Sequence, residues 1–244
     1  MIKRTEKDQE IVFGIHPIIE LLKAKKRKLY KIYTTKPFPK SWEQISKILP
    51  KYVEIQIASK DTLNNFAGTT DHQNVVALAS PFQIRKKFFE PQREKFLLML
   101  DAIQDPRNLG AILRSAYCTG VQGVIITQKD SSPITPTVLK SSAGLAEYLE
   151  IFMAPSAKFA IQELKKAKYE IYLATIEKSQ NVLQTEFKLP LCIVIGNEGT
   201  GISKNILDYG KHITLPQQNS EISYNASVAA GILLFTISTQ NKLI

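Results

Sequence analysis

Polar side chains follow an apolar run at three places in the chain, and the first of these segments covers residues 101–116. The dipeptide Asp105-Pro106 is typical of a turn, and Asn108 is a residue type that caps helices. Arg114 lies six residues beyond Asn108, on the helix that this cap would begin. Taken alone, the segment favours a simpler interpretation, a capped helix with an arginine on its surface.

The second segment, residues 193–201, combines glycines with a carboxylate. Three glycines fall within six positions, from Gly196 to Gly201, and Glu198 lies between them. Glycine lets the backbone approach a ligand closely and leaves amide groups accessible. The order G-x-x-G-x-G is not the dinucleotide fingerprint, and the phosphate-loop sequence G-x-x-x-x-G-K-[ST] is missing, which argues against a dinucleotide-dependent oxidoreductase and an NTPase. Taken alone, the segment is equally typical of an ordinary glycine-rich turn.

The third segment, residues 215–231, is a polar loop that leads into an apolar helix, which Ser223 or Asn225 could cap. Together the three segments offer a guanidinium, a carboxylate, amides and hydroxyls. They contain no histidine, because the three histidines of the chain are His16, His72 and His212. Neither a Ser–His–Asp triad nor a His–Cys metal site is therefore predicted in these loops.

Strands and helices that could position these segments alternate along the rear of the chain. Near-continuous apolar runs, which are typical of strands buried on both faces, are 96–100, 123–127, 149–153, 170–174, 191–195 and 212–215. Helical patterns lie between them, including 108–119, 156–168 and 225–239. The alternation predicts an α/β fold with a mostly parallel sheet and helices on both faces. Such sheets bind ligands beyond the carboxyl ends of their strands, so we expect the three polar segments to converge there.

The front of the chain predicts a second, smaller α/β domain. Short strand patterns at 30–34, 53–57 and 75–79 alternate with helical patterns at 17–24, 41–49 and 60–66. Residues 79–95 carry prolines at positions 81 and 91 and many charges, which is typical of a connector between domains. We therefore predict domains at residues 1–78 and 96–244, with 79–95 as the linker.

Positive charge is concentrated in the front of the chain. The formal net charge is +10, and residues 1–78 hold 14 Lys and Arg against 8 Asp and Glu, whereas residues 96–244 hold 13 against 12. The densest cluster includes Lys25, Lys26, Arg27 and Lys28. A solvated surface is the simpler interpretation of such a run, and contact with the phosphates of a nucleic acid is the functional one.

Composition and length exclude several classes of protein. With 244 residues, 44% of them apolar, the chain can bury a core, so wholesale disorder is excluded. The longest apolar run, 228–237, is too short to cross a bilayer, and the charged N-terminus lacks the apolar stretch of a secretion signal. Two cysteines make neither a disulfide framework nor a zinc cluster, so we expect a reduced, cytoplasmic protein.

The three segments resemble, in this order, the three motifs of the SpoU-type (TrmH-type) RNA 2′-O-ribose methyltransferases. The matching patterns are D-x-x-x-D-P-x-N-x-G-x-x-x-R-S-A, V-I-G-N-E-G-x-G, and L-P followed by S-x-N-x-S-V-A. The stretches 14–22 and 72–77 are similar to the small L30e-like substrate-binding domain of that family. Within it, the arrangement is most similar to the bacterial 23S rRNA guanosine-2′-O-methyltransferases.

The resemblance implies a trefoil-knotted α/β methyltransferase that takes its methyl group from S-adenosylmethionine, works as a homodimer and acts on RNA such as 23S rRNA or a ribosomal precursor. The positions that it assigns to the cofactor are Thr175, Gly196, Leu215 and Tyr224, and those that it assigns to the active site are Asn108, Arg114, Glu198, Ser223 and Asn225. The chain departs from the family at Tyr224, where leucine is usual, and at Gln217 and Asn219, where methionine and glycine are usual.

Two questions stay open at the level of the sequence. Arg114 could remove the proton of the ribose hydroxyl or stabilise the alkoxide; the second is physically easier, because a guanidinium has a pKa above about 12 and no acceptor when protonated. The function could also be ribose methylation of tRNA, or RNA binding without catalysis on the same fold. The presence of Asn108, Arg114, Glu198 and Asn225 together favours an enzyme.

Overall fold

A computed structural model describes residues 8–176, 179–218 and 223–244, and contacts divide the chain into two units. The first unit comprises residues up to Gln83 together with Ile134–Tyr148, and the second comprises Ile84–Pro133 and Leu149–Ile244. The elements are, in chain order, β1 (Glu10–Phe13), α1 (Ile15–Ala24), β2 (Leu29–Thr34), α2 (Trp42–Ser46), β3 (Glu54–Ile57), α3 (Lys60–Ala67), β4 (Val75–Ala79), β5 (Phe96–Leu100), α4 (Pro106–Cys118), β6 (Gly123–Thr127), α5 (Pro136–Ser141), β7 (Ile151–Ala154), α6 (Ala157–Lys166), β8 (Glu170–Ala174), β9 (Gln180–Asn181), β10 (Leu191–Ile195), β11 (Lys211–Thr214) and α7 (Ala226–Gln240).

The first unit contains a mixed four-stranded sheet in the order β1-β4-β2-β3. Strand β4 is antiparallel to both of its neighbours, and β3 is parallel to β2. Its core includes Phe13, Tyr33, Leu63 and Val76, with β4 buried along its whole length. Helix α5 and the 3₁₀ segment Leu145–Tyr148 pack with this unit although they lie far along the chain, between β6 and β7.

The second unit contains a parallel seven-stranded sheet in the order β7-β6-β5-β10-β8-β11-β9. Every residue of β5, β6 and β10 is buried, as the apolar runs predict. Helix α6 packs against β6, β7 and β8, and α4 packs against α7. The predicted α/β architecture with a parallel sheet is therefore confirmed, whereas the trefoil knot stays a prediction.

Side-chain caps define where the helices of the second unit begin. The carboxylate of Asp105 accepts from the amide of Arg107 at 2.8 Å, the Ser156 hydroxyl caps α6, and Asn225 caps α7. These caps satisfy amides that the first helical turn leaves without a backbone partner. Helix α4 therefore begins at Pro106, two residues before Asn108, the residue that the sequence predicted as the possible cap.

The connector 79–95 carries structure of its own. Arg85 pairs with Phe152 in a parallel bridge, and its guanidinium lies 4.7 Å from the centre of the Phe89 ring and 3.3 Å from the Glu94 carboxylate. This arrangement attaches the connector to the second unit from residue 84 onward. The predicted limits of the two domains, at residues 78 and 95, stay predictions.

Candidate active site

The three polar segments and Thr175 follow four strands that are neighbours in the parallel sheet, in the order β5, β10, β8 and β11. Because parallel strands end at the same edge, the loops that follow them lie side by side. Residue 101 follows β5, residue 175 follows β8, residue 196 follows β10 and residue 215 follows β11. The sheet thus brings together segments that are separated by up to about 125 residues in the sequence.

Glu198 is the centre of a hydrogen-bonded cluster formed by residues that follow three strands, β5, β10 and β11. Its Oε1 atom accepts from the side-chain amide of Asn225 at 3.1 Å and from that of Asn108. The Asn225 amide also donates to Oδ1 of Asn108 at 3.3 Å. The predicted active-site residues Asn108, Glu198 and Asn225 therefore contact one another directly.

Asn225 links this cluster to the start of helix α7. Its Oδ1 atom accepts from the amide of Ser227 at 2.9 Å and from the hydroxyl of Ser227 at 2.6 Å. The same side chain therefore caps α7 with its oxygen and contacts Glu198 with its nitrogen. Both halves of the amide are engaged, which fixes its orientation.

The glycine loop that carries Glu198 is closed by its own backbone and by Asn197. The amides of Asn197 and Gly201 each donate to the carbonyl of the other, at 3.0 and 2.9 Å. Asn197 also accepts from the amide of Gly199 at 2.8 Å and donates to the carbonyl of Ala102 at 2.8 Å. A Cβ atom on Gly196 would lie 2.3 Å from the carbonyl carbon of Gly201, so only glycine fits there.

A cleft of about 440 Å³ opens beside the cluster, and all four residues predicted for the cofactor line it. Its other described lining residues that matter here are Glu198, Ser223 and Gln217. A smaller cavity of about 310 Å³ shares Glu198 with the cleft and is also lined by Asn108 and Asp105. The predicted cofactor positions and the polar cluster thus occupy adjoining spaces.

Thr175 is held at the cleft by His212, a residue that the sequence placed outside the site. The Nε2 atom of His212 lies 2.9 Å from the carbonyl of Leu207, to which it donates, so Nδ1 is the acceptor for the Thr175 hydroxyl at 3.0 Å. The Ser179 hydroxyl lies 2.7 Å from the same oxygen. Asp101, buried after β5, accepts from the amide of Ser203 at 2.8 Å and steadies the far side of the glycine loop.

Gln217 and Tyr224 are the two departures from the family that the structure describes, and Asn219 lies outside the described residues. The Tyr224 hydroxyl donates to the carbonyl of Pro216 at 3.3 Å, which holds the ring against the loop after β11. The Nε2 atom of Gln217 is buried and has no hydrogen-bond partner among the residues that the structure describes. A buried amide nitrogen without a partner is costly, so this atom is poised for an acceptor that a ligand could bring.

Arg114 lies apart from the cluster. It is exposed on α4, lines neither cavity, and within the described residues forms no hydrogen bond or ion pair. Six residues of an α-helix turn the side chain by about 240°, so Asn108 and Arg114 project from different faces of α4. Glu198 contacts the side-chain amides of Asn108 and Asn225.

The basic cluster of the first unit divides into surface and buried members. Lys25 and Lys28 are exposed, and the Lys28 ammonium lies 5.4 Å from the centre of the Tyr30 ring. Lys26 is half-buried and donates to the carbonyl of Tyr148 at 3.4 Å. Arg27 is buried, because its guanidinium binds Glu147 at 2.9 Å and Glu10 at 3.0 Å. A phosphate could reach Arg27 only by breaking this ion pair, so its expected role in RNA contact does not fit the structure.

Neither a metal site nor a membrane span emerges from the described residues. No three histidine, cysteine, aspartate or glutamate side chains there lie close enough to hold a metal ion. No helix within residues 8–176, 179–218 and 223–244 combines the length and the apolarity that crossing a bilayer requires.

The parallel sheet, the cleft at its carboxyl edge and the polar cluster beside that cleft define an α/β enzyme domain joined to a smaller α/β unit. Residues 95–235 match the SpoU rRNA Methylase family, and residues 11–85 match the family described as RNA 2′-O ribose methyltransferase substrate binding. The chain therefore belongs to the SpoU family of RNA methyltransferases, as the motifs predicted.

Individual relatives extend along nearly the whole chain. The chain is 30% identical to the 23S rRNA (guanosine-2′-O-)-methyltransferase RlmB of Shewanella oneidensis, over 97% of this chain and 99% of that protein. It is 34% identical, over 80% of this chain and 82% of that protein, to a protein of Staphylococcus haemolyticus named for the TrmH family of tRNA/rRNA methyltransferases. A crystal structure of the SpoU methyltransferase AviRb of Streptomyces viridochromogenes with AdoMet matches with a TM-score of 0.82 at 21% identity, over 97% of this chain and 92% of that one.

Proposed function

We propose that the protein methylates the ribose 2′-hydroxyl of a guanosine in 23S rRNA, with S-adenosylmethionine as methyl donor. An S-adenosylmethionine-dependent RNA methyltransferase is what family membership itself implies. The finer statement is supported by the relative from Shewanella oneidensis, which aligns over both units. The observation that carries the proposal is the contact of Asn108, Glu198 and Asn225 at the border of a cleft lined by the predicted cofactor residues.

The cleft suits S-adenosylmethionine in size and in chemistry. Its volume of about 440 Å³ lies within the range of small-molecule sites. Thr175, Gly196, Leu215 and Tyr224 would hold the cofactor, and Gln217 offers it a buried donor that no described residue satisfies. When bound, the cofactor supplies a methyl group on a sulfonium, which is already a strong electrophile.

The protein's own residues then have to place the ribose and handle its proton. Asn108 keeps a second amide hydrogen and Glu198 a second carboxylate oxygen, both of which suit ribose hydroxyls. Asn225 holds these two residues in place, and Ser223 adds a hydroxyl at the cleft. Positioning of this kind can lower the activation free energy by about 7–11 kcal/mol in favourable cases. We assign Arg114 the role of a cation that stabilises the developing alkoxide and orients a phosphate, rather than that of a base.

Arg114 is tested by replacement with alanine. We expect Arg114→Ala to abolish nearly all methyl transfer and to leave cofactor binding, measured by calorimetry, unchanged. Methyl transfer at the wild-type rate would remove Arg114 from the mechanism in either role.

By this proposal, the first unit binds RNA through the three lysines of its basic cluster, of which Lys25 and Lys28 are exposed and Lys26 is half-buried. Lys25, Lys26 and Lys28 are the members that would contact phosphates, whereas Arg27 holds the fold. Replacing these three lysines with glutamine should weaken RNA binding and lower the slope of log K against log salt by up to about two to three. The same change at the exposed residues Lys165, Lys166 and Lys168 of the second unit is the matched control. An equal effect of both triple changes would show that the cluster is a solvated surface with no specific role in RNA binding.

A homodimer belongs to the same proposal, and helix α7 supports it. This helix is apolar around its whole circumference, and Val228, Ile232 and Phe235 leave one apolar side exposed. A helix that is apolar on all sides is normally buried on all sides, and a second copy of the chain would cover this one. We expect wild-type protein to sediment as a dimer and Phe235→Asp to sediment as a monomer; a monomeric wild type would remove this part of the proposal.

The reaction is tested with labelled cofactor and total RNA from a strain that lacks the gene. Label should enter 23S rRNA, and mapping should locate it on the 2′-oxygen of one guanosine. Label in tRNA would replace the rRNA assignment with the alternative substrate. Cofactor binding without transfer to any RNA would favour a non-catalytic RNA-binding protein.

A further inference from the structure

Gln217 lines the cleft with a buried amide nitrogen that has no hydrogen-bond partner within residues 8–176, 179–218 and 223–244. Such a donor weakens the free protein, because it has lost its contacts with water and gained none in return. A ligand that brings an acceptor to this atom would recover that loss. The resemblance to the family implies a methionine at this position, and a methionine side chain cannot donate a hydrogen bond.

We propose that Gln217 recognises the adenine base of the cofactor, by donating from Nε2 to a ring nitrogen. This inference rests on the proposed function, because it assumes that S-adenosylmethionine binds in the cleft. The ring nitrogens of the adenine are neutral acceptors on a flat, largely apolar ring, and such a ring suits a cleft with a largely apolar lining. A glutamine amide also matches the adenine edge, where an acceptor nitrogen lies next to an amino group.

The lining of the cleft decides between the base and the charged end of the cofactor. No lysine, arginine or histidine is among its described lining residues, so a carboxylate there would lack a cation and belongs at the open mouth, in water. The lining is largely apolar and includes Ile195, Ile213 and Leu233. A purine ring can replace water against these side chains, and its ring nitrogens then need a donor.

The inference predicts opposite changes in stability and in affinity for Gln217→Met. Methionine fills a similar volume but needs no partner, so the free protein should unfold at a higher temperature than wild type. S-adenosylhomocysteine, which binds without reacting, should bind about tenfold more weakly to the variant in calorimetry. A residue that only shapes the loop would move both quantities in the same direction.

Gln218→Met is the matched control, because Gln218 is the next residue and its side chain is exposed. It should change neither the melting temperature nor the affinity. Gln217→Met with wild-type affinity for S-adenosylhomocysteine would overturn the assignment. Wild-type protein that fails to bind S-adenosylhomocysteine and S-adenosylmethionine would instead overturn the proposed function, so the two failures are distinguishable.

Ligand analogues test the same contact in protein that carries no substitution. The 1-deaza, 3-deaza and 7-deaza forms of S-adenosylhomocysteine each replace one ring nitrogen with C–H, and one of them should bind wild type about tenfold more weakly than the parent compound. That loss should vanish in Gln217→Met, because the donor is already gone. Equal binding of all three analogues to wild type would refute a hydrogen bond to the base.

Discussion

Glu198→Ala removes the acceptor that joins the loop after β10 to Asn108 and Asn225, and we expect it to reduce activity far more than stability. Both hydrogen bonds are exposed, so water can take the place of the carboxylate. Exposed contacts of this kind contribute about 1 kcal/mol or less. In a protein of 244 residues, that corresponds to a fall in melting temperature of about 2–4 °C.

Activity should decrease more than stability, because Asn108 and Asn225 lose the acceptor that both of them share. Displacing a positioning group by about 1 Å can cost about 100-fold in rate. We therefore expect single-turnover methyl transfer to fall by about 100-fold or more at saturating cofactor. Glu198→Gln keeps an acceptor oxygen and the size of the side chain, so it should retain more activity than the alanine variant.

The assay compares single-turnover rates, melting temperatures and cofactor affinity for wild type, both Glu198 variants and Glu163→Ala. Glu163 lies on α6 and faces Lys166 at 3.9 Å, so its removal controls for the loss of a surface carboxylate. A wild-type rate in Glu198→Ala would refute the reasoning. So would a loss of rate that merely follows the unfolded fraction.

Two further predictions concern the first unit. Glu147→Gln should lower the free energy of unfolding in urea by about 3 kcal/mol, because it leaves the buried Arg27 with Glu10 as its only carboxylate partner. Glu54→Gln, which removes the exposed carboxylate that pairs with Lys31, should lower it by less than about 1 kcal/mol, and similar losses in the two variants would contradict the role of burial. Burial lowers the pKa of His72, so the unfolded chain takes up a proton near its ordinary pKa of about 6.5, whereas the folded protein takes it up only at a lower pH. The contribution of His72 to the free energy of unfolding is complete above that pH, and below it the contribution decreases by up to about 1.4 kcal/mol per pH unit. If the stability of His72→Gln decreased with acid as steeply as that of wild type, another group would be responsible.

The central strands β5, β6 and β10 of the second unit could be predicted because each is a short apolar run in which every residue is buried. The predicted limits of β5, β6, β8 and β10 are confirmed to the residue. Strand β1 and the two-residue β9 escaped prediction, since neither carries an apolar run of that length. Helix α5 also escaped, because its six residues are too few to show helical periodicity.

The candidate site was predictable in its location but not in its contacts. Residues at the ends of neighbouring parallel strands must lie near one another, so the meeting of Asn108 with Glu198 follows from the alternation of strands and helices. Burial of Arg27 could not be foreseen, because its partner Glu147 is 120 residues away in the sequence. His212 was equally hidden, since only the register of β11 beside β8 brings its ring to Thr175.

The proposed site of a single chain lacks one component, a cation. Among the described residues, no lysine or arginine lines the cleft or the smaller cavity, although a phosphate and a developing alkoxide both call for positive charge. Arg114 is exposed on α4, the helix that packs against α7. A dimer formed through the exposed side of α7 could therefore bring the Arg114 of one copy to the Glu198 of the other.

Mixed dimers decide whether Arg114 acts across such an interface. Arg114→Ala and Glu198→Ala should each be inactive alone. In a dimer of one copy of each, a site built from both chains would have an intact Arg114 and an intact Glu198 once in every two sites. Because random mixing makes about half of the dimers mixed, about a quarter of the wild-type activity should return. If Arg114 served the Glu198 of its own chain, every site would keep one defect and mixing would restore nothing.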